Sequence, residues 1–227
     1  MVRFLLLMLL TFLPPFLFAQ TSDRSADRAA VAPAPTPPPP PPNWIADKIL
    51  TMVGPAEPAV QTPKQKFEQY LLNTAGPVPL IGEAAGAGYG QWTNTPPEYG
   101  QGWTALGKRY GASLAYNATR QTISYGMSLA FHEDTRYFAS HASGVWPRTR
   151  HALISTFTAR HADGRQTVSV ANVTGVLGAC AFSSIWGPPS WKGVDNIAYN
   201  AGISFAATAG FNIVREFLPD ILRRPRK

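Results

Sequence analysis

The residues most able to do chemistry in this chain lie together in the segment FHEDTRYF, residues 131–138. His132, Glu133 and Asp134 are adjacent, and Arg136 follows two residues later. Such groups can act as general acid and base or bind a metal ion. Neighbouring residues on a helix point about 100° apart, so three consecutive side chains do not converge on one ion there. The segment also departs from the HExxH zinc motif, because Arg136 stands at the position of the second histidine.

Three interpretations of this segment are open. It is a corner of salt bridges in which the acids pair with Arg136, Lys108 or Arg109, a catalytic or metal-binding site, or a binding site for a polar partner. The first needs no special chemistry, and we favour it. We therefore predict no catalytic residue, no cofactor and no metal ligand. A site formed by the four residues named above is the alternative.

The other candidate groups give weaker signals. His141, His151 and His161 recur every ten residues, which turns a helix through about 1000° and leaves each residue about 80° from the last. Cys180 is the only cysteine, so no disulfide forms within the chain, and its small apolar neighbours indicate a buried side chain rather than a nucleophile. The sequence has no GxSxG and no phosphate loop followed by Lys-Ser or Lys-Thr. These observations lean against an enzyme and leave the question open.

The beginning of the chain indicates export. The chain has 227 residues and a net charge of +7, yet Arg3 is the only charge within residues 1–19. Residues 4–13 are apolar except for Thr11, and a small residue, Ala19, follows at a suitable cleavage position. This pattern is typical of a signal peptide, with an uncleaved anchor as the alternative. We expect the periplasm or cell envelope as the location, which makes nucleic acid a poor partner despite the basic charge.

Two segments precede the predicted main domain. Residues 20–42 hold eight prolines and predict a disordered, proline-rich linker, either a semi-rigid spacer or a ligand for a proline-reading domain. Residues 43–61 begin with a short amphipathic helix, NWIADKILTMV, which is a flap on the main domain, an interfacial anchor or a partner helix. Residues 62–222 form the predicted helical domain, and residues 223–227 form a basic tail.

The periodicity of the main domain predicts an all-α fold, a compact bundle of five to six helices. The Asp-Gly pair within residues 162–165 marks a turn. Residues 166–173 alternate as a strand would, but their uncharged continuation favours a helix. The helical patterns cover residues 64–73, 77–92, 103–134, 148–161 and 166–186, and a last one from about residue 194 to Pro219.

Four of these segments carry small residues at every fourth position, which places them on one helical face. Such a face lets two helix backbones approach closely, and in membranes it replaces the hydrophobic drive that lipid does not supply. Glycine costs about 0.5–1 kcal/mol relative to alanine in a helix, so we expect these faces to be contact seams between helices. The four helix-packing sets are Gly82, Gly86 and Gly90; Gly107, Gly111 and Ala115; Ala171, Gly175, Ala179 and Ser183; and Ala198, Gly202, Ala206 and Gly210.

Charge placement favours a membrane without requiring one. Residues 166–191 and 196–214 contain no Asp, Glu, Lys or Arg, and each segment approaches the roughly 20 residues that cross a bilayer. Both segments also contain Asn, Ser and Thr, and each such group needs a hydrogen-bond partner in lipid. A bundle associated with a membrane and a soluble periplasmic bundle are therefore both open, and we favour the first.

Basic and aromatic residues beside apolar segments support the same interpretation. A basic side chain near an anionic lipid surface contributes about 1 kcal/mol of attraction. We predict membrane lipid or another envelope protein as the partner, with self-association through the Gly/Ala faces as a further possibility. The predicted membrane-surface contacts are Trp44, Arg223, Arg224, Arg226 and Lys227.

Three stretches together resemble an uncharacterised family of exported bacterial helical proteins. They are QGWTALGKRYGASL, HEDTRYF, and RTRHALISTFTARHADGRQT with the Gly/Ala helix that follows. The resemblance covers residues 64–220 and omits the proline-rich linker. It implies the domain limits given above and no activity, so no catalytic residue is carried over. We therefore predict a structural or interaction protein of the cell envelope, with a periplasmic enzyme or a small-ligand-binding helical protein as the alternative.

Overall fold

A computed structural model describes residues 44–56 and 60–222. It confirms the predicted helical bundle and adds a small three-stranded sheet. The helices are α1 (Trp44–Val53), α2 (Pro63–Ala75), α3 (Pro77–Thr93), α4 (Trp103–Ala130), α5 (Val145–Ile154), α6 (Val170–Trp186) and α7 (Val194–Leu222). The strands are β1 (Glu133–Asp134), β2 (Thr158–His161) and β3 (Gln166–Val168). Single turns of 3-10 helix lie at Pro97–Tyr99 and Pro189–Trp191.

Helices α2 and α3 are separated by one residue, Gly76, and both pack against α4. Pro77 begins α3, and because proline has no amide hydrogen it leaves a carbonyl group of the preceding turn without its usual donor. Asn117 on α4 supplies donors at this break. Its side-chain amide donates to the carbonyl oxygens of Asn73 and Thr74, at 3.1 and 3.4 Å. The neighbouring helix thus satisfies the backbone where the α2–α3 pair is interrupted.

Helix α4 is the centre of the bundle, and α6 makes the most extensive contact with it. Helix α7 packs against α6, and Tyr116 on α4 links all three helices. Its hydroxyl group donates to Ser204 on α7 at 2.8 Å and lies 3.6 Å from the sulfur of Cys180 on α6. Cys180 is buried with Val176 and Ala201 in the apolar cluster beside this contact.

One of the four predicted small-residue faces lies between two helices. Ala171, Gly175 and Ala179 of α6 are buried, and Gly175 faces α4. A Cβ atom at Gly175 would lie 1.9 Å from the hydroxyl oxygen of Ser124 and 3.2 Å from the carbonyl oxygen of Arg120. Only glycine therefore fits at this position without displacing its neighbours.

The prediction of a seam between helices is corrected for the other three faces. They point outward from the described chain, except at Gly90, which is buried against Arg109. The same fourfold spacing thus occurs on a buried face and on exposed ones, and spacing alone does not separate them. On these three faces, the glycines at which an added Cβ would meet no described atom within 4 Å are Gly82, Gly86, Gly107, Gly111, Gly202 and Gly210. Their exposed alanine neighbours are Ala115, Ala198 and Ala206.

The connection between α3 and α4 is folded around Arg109, which is 3% exposed. In the described chain its guanidinium group donates to five oxygens, all of them neutral, rather than to an acid. Gly90 makes room for this arrangement, because a Cβ atom there would lie 2.7 Å from the carbonyl oxygen of Thr95. The five acceptors are the carbonyl oxygens of Thr95, Pro96 and Gly100 and the side-chain oxygens of Gln91 and Asn94.

A β-hairpin replaces the end of one predicted helix and the beginning of the next. The helix predicted for residues 148–161 ends at Ile154, and β2 and β3 pair antiparallel around the predicted turn at residues 162–165. Helix α6 begins after Ser169, whose hydroxyl group accepts a hydrogen bond from the amide of Asn172 at 3.0 Å. This cap places the strand-to-helix boundary inside the alternating segment, so both the strand and the helix interpretation were partly right.

Several predictions fall outside the described residues. These are the signal peptide (1–19), the proline-rich linker (20–42), the basic tail with Arg223, Arg224, Arg226 and Lys227, and the side chain of Trp44. The short helix predicted within residues 43–61 is present as α1. After it, the amide of Ala56 donates to the carbonyl oxygen of Tyr137 at 2.7 Å, which favours the interpretation of this segment as a flap.

Candidate functional site

The adjacent side chains of residues 132–134 lie in separate surroundings. His132 is exposed and has a φ of 54°, with which the chain leaves α4. Glu133 is 1% exposed and turns into the protein. Asp134 pairs with Arg136 at 2.6 Å, one of the pairings the sequence suggested. Within residues 44–56 and 60–222, no group of three or more His, Cys, Asp or Glu is placed to hold a metal ion.

Glu133 caps the N-terminus of α6. Its carboxylate accepts hydrogen bonds from the hydroxyl group of Ser169 at 2.9 Å and from the amides of Val170 and Ala171 at 2.8 and 3.0 Å. The first amides of a helix lack partners within it, and its dipole favours a negative charge there. The cavity beside Glu133 has a volume of about 30 Å³, which suits a water molecule rather than an organic substrate. The role of Glu133 in this geometry is to fix α6 against β1.

We expect replacement of Glu133 with glutamine to lower the free energy of unfolding by about 1.5–3 kcal/mol, the usual worth of hydrogen bonds to a charged group. The neutral amide accepts less strongly and leaves α6 amides poorly satisfied. Denaturant unfolding of the purified chain measures this loss. His132→Asn is the control, because asparagine tolerates a positive φ and the position is exposed. A loss of similar size in the control would contradict a specific role for the Glu133 cap.

A second buried carboxylate, which the sequence analysis did not single out, lies near the end of α7. Glu216 is 0% exposed. It accepts hydrogen bonds from the hydroxyl group of Tyr137 at 2.6 Å, the amide of Ser140 at 3.0 Å and Nε of Arg148 at 2.8 Å. Arg148 also pairs with Asp220, one turn further along α7. This network joins α5, α7 and the segment between β1 and α5.

The contacts of the Glu216 network favour the protonated forms of Tyr137 and Arg148. Burial raises the pKa of Tyr137, and its hydrogen bond to Glu216 raises that pKa further. Hydrogen bonds to Glu216 and then to Asp220 raise the pKa of Arg148. Tyr137 therefore remains a hydrogen-bond donor and Arg148 a cation at neutral pH. Such a network stabilises a contact between helices.

A cavity of about 420 Å³ opens between α5 and α7 beside this network. Its volume falls within the range of about 300–1,000 Å³ that is usual for small-ligand sites. Its two charged lining residues, Arg148 and Asp220, already pair with each other, so they are not free to orient a ligand. The lining residues are Gly144, Val145, Arg148, Phe217, Asp220 and Ile221.

The outward surfaces of α6 and α7 are apolar. Among the described helices, α7 alone is long and apolar enough to cross a membrane, and only 11% of its most apolar 18-residue window is buried. On α7, Val194, Tyr199 and Ile203 are 81%, 69% and 54% exposed. On α6, Phe182 and Ile185 are 52% and 74% exposed. A core helix of a soluble protein buries such side chains, and contiguous exposed apolar surface marks contact with a membrane or another protein.

The described chain therefore has two candidate functional features. One is the set of buried carboxylates, whose hydrogen bonds are committed to helix ends and ion pairs. The other is the apolar exterior, which has no covering element in the described residues. No protein-family model, no curated protein and no solved structure matches this chain, so its function has to be inferred from these two features.

Proposed function

We propose that this chain is an exported structural or interaction protein of the cell envelope, a helical bundle that associates with membrane lipid. The observation that carries the proposal is the exposed apolar surface of α7, the helix long enough to cross a membrane. The predicted export signal and the resemblance to exported bacterial helical proteins point to the same compartment. Another envelope protein, or a second copy bound through the outward Gly/Ala faces, is the further partner in this proposal.

The alternative, a periplasmic enzyme or ligand-binding protein centred on residues 132–134, has less support. The three side chains diverge, and the carboxylate of Glu133 is occupied by three donors from the start of α6. A reaction centre needs a nucleophile, an acid or a base within reach of a common substrate position. In the described chain, residues 132–134 are adjacent in sequence, but their reactive atoms do not lie close together.

Membrane partition tests the proposal. We expect the mature chain, with removal of residues 1–19 checked by mass, to remain in the membrane pellet after washing with alkaline carbonate. Contact of α7 with acyl chains is not weakened by high pH, whereas ionic attachment is. Recovery of the chain in the soluble fraction as a stable monomer would contradict the proposal.

A matched pair of variants separates lipid contact from misfolding. Ile203→Lys places a charge on the outward face of α7, where the side chain is 54% exposed. Ala162→Lys places the same charge in the exposed turn between β2 and β3. We expect the first variant to be released from membranes more readily than the second, with both retaining helical circular dichroism.

A further inference from the structure

We propose that α2–α3, α4, α6 and α7 form one unit that crosses the lipid bilayer, with an aromatic end in one interface and a charged end in the other. This inference rests on the proposed membrane association and adds an orientation to it. The aromatic end comprises Trp92, Tyr99, Trp103, Trp186 and Trp191. The charged end comprises Lys66, Glu133, Arg148, Arg215 and Glu216. The partner is phospholipid, its acyl chains around the helices and its headgroups at both ends.

The aromatic end is assembled from two loops and four helix ends. Trp186, at the end of α6, lies 5.7 Å from Trp191, and Trp191 lies 6.4 Å from Tyr99, measured between ring centroids. Glu98 accepts hydrogen bonds from the amide and hydroxyl group of Ser190, at 3.0 and 3.2 Å, which ties the two loops together. Tryptophan and tyrosine are enriched at membrane interfaces because their rings are apolar and their N–H or O–H groups are polar.

Tryptophan exposure at this end supports contact with an interface. Trp103, at the start of α4, is 87% exposed, and Trp92, near the end of α3, is 68% exposed. Four of the six tryptophans of the chain belong to this end. Such exposure of large rings is unusual for a surface that contacts only water.

The distance between the two charged levels fits a bilayer. On α7, Asp195 lies near the aromatic end and Arg215 at the charged end, with no charge between them. Twenty residues of helix span about 30 Å, and the hydrocarbon core of a bilayer is about 30 Å thick. On α4, Lys108 lies at the level of the aromatic end, because its neighbour Arg109 binds the loop between α3 and α4 at that end. Helix α6 carries no charged residue at all.

The charged residues that lie between these levels are turned inward. On α3, α4, α6 and α7 they are Glu83 and Arg120, and both are partly buried. Helix α2 carries an exposed pair, Lys64 and Glu68, in its first two turns, on either side of Lys66 of the charged end. Arg120 donates to the hydroxyl oxygen of Thr208 on α7 at 3.1 Å, and Glu83 lies beside Ser113 of α4. The two opposite charges also attract each other. Ionisable residues within membranes face the bundle interior and pair in this way.

Several hydroxyl side chains along the helices donate hydrogen bonds within their own helix. The hydroxyl groups of Thr174 and Thr208 donate to carbonyl oxygens four residues earlier, at 2.6 and 2.8 Å, and that of Ser184 donates to a carbonyl oxygen three residues earlier at 2.7 Å. Thr119 and Thr122 on α4 donate four residues back in the same way, at 2.8 Å each. These bonds supply the partners that hydroxyl groups require in lipid.

The broken helix is also compatible with lipid. Gly76 interrupts the backbone, and Asn117 donates to the carbonyl oxygens freed beside it. Irregular backbone at membrane depth is tolerated where protein groups complete its hydrogen bonds. The interruption therefore does not exclude α2–α3 from the membrane-crossing unit.

Accessibility of single cysteines tests the orientation. In full-length protein carrying Cys180→Ala, the variants Ala162→Cys and Lys192→Cys place a thiol at the charged and aromatic ends. Leu177→Cys and Ile203→Cys place one on the outward faces of α6 and α7. We expect a membrane-impermeant maleimide, added outside sealed vesicles, to label only one of the two end positions. The two outward positions should be labelled only after detergent is added.

The other outcomes overturn the inference in distinguishable ways. Labelling of both ends from the same side, with Ile203→Cys still protected, would show that the bundle lies on one leaflet, so the crossing fails and membrane association stands. Protection of Ile203→Cys in detergent, together with disulfide cross-linking between chains, would show that a second copy covers this face. Labelling of every position in a soluble fraction would overturn both this inference and the proposed function.

Discussion

Replacing Gly175 with leucine is expected to prevent α4 and α6 from packing and to abolish cooperative unfolding. Even a Cβ atom at this position would come within 1.9 Å of the Ser124 hydroxyl oxygen, and the Arg120 carbonyl oxygen lies 3.2 Å away. Overpacking a core usually costs about 1–3 kcal/mol, and here part of the obstacle is backbone, which has no other rotamer. Loss of the thermal transition in circular dichroism would show the effect.

The exposed glycine of α7 provides a matched control. Gly202 has the same position in its small-residue face, yet nothing described lies within 4 Å of a Cβ atom built there. Gly202→Leu should therefore leave the transition of an isolated chain in place. If Gly202→Leu unfolds the chain as Gly175→Leu does, the outward face of α7 is not free. If Gly175→Leu is tolerated, the seam does not hold α4 and α6 together.

Removal of the Glu216 side chain is expected to have the second large effect. Glu216→Ala should lower the free energy of unfolding by about 3–5 kcal/mol, the usual loss when one partner of a buried ion pair is removed. The hydroxyl group of Tyr137 loses its acceptor at 2.6 Å, and Arg148 loses its buried carboxylate. Denaturant unfolding followed by tryptophan fluorescence measures the change.

Asp220→Asn is the control for this prediction. This variant weakens the outer ion pair between Arg148 and Asp220 and leaves Glu216 in place. The side chain of Asp220 is 56% exposed. Exposed ion pairs contribute about 0–1 kcal/mol, so we expect a change within that range. Equal effects of the two variants would mean that the stability comes from the net charge of this surface and not from the buried carboxylate.

The class of fold was predictable because long apolar periodicity and the placement of proline and glycine determine helices locally. The predicted helix boundaries were wrong where tertiary contacts determine the secondary structure. Residues 158–161 continue a helical pattern, yet they pair with β1 and β3, because strand pairing on both sides replaces their helical hydrogen bonds. The cap at Ser169 then starts α6 within a segment whose alternation had suggested a strand.

The small-residue faces show what spacing does and does not encode. Gly175 and Gly202 have equivalent sequence surroundings, with small residues four positions away on both sides. Only the position of α4 makes the first indispensable and leaves the second open. Close approach between helices is a property of two partners, so a pattern on one helix predicts where contact is allowed and not where it occurs.

The candidate site illustrates the same limit. Glu133 and Asp134 were candidates because they are adjacent to His132 in the sequence. The buried one, Glu133, instead binds the start of α6, where its partner Ser169 lies thirty-six residues later in the chain. Glu216 had a weaker signal, an acid at the end of a long uncharged helix with Asp220 four residues later. Its partner Arg148 is 68 residues away, and no local pattern predicts that pairing.

The loop folded around Arg109 has a consequence for the order of assembly. Its five hydrogen bonds join residues that are at most 18 positions apart in the chain. The contact of Glu216 with Tyr137 joins residues 79 positions apart. Closing a short loop loses less chain entropy than closing a long one, and low contact order is associated with fast folding. The hairpin of α3 and α4 therefore closes at a lower entropic cost than the contact of α7 with Tyr137, and it can form before α7 arrives.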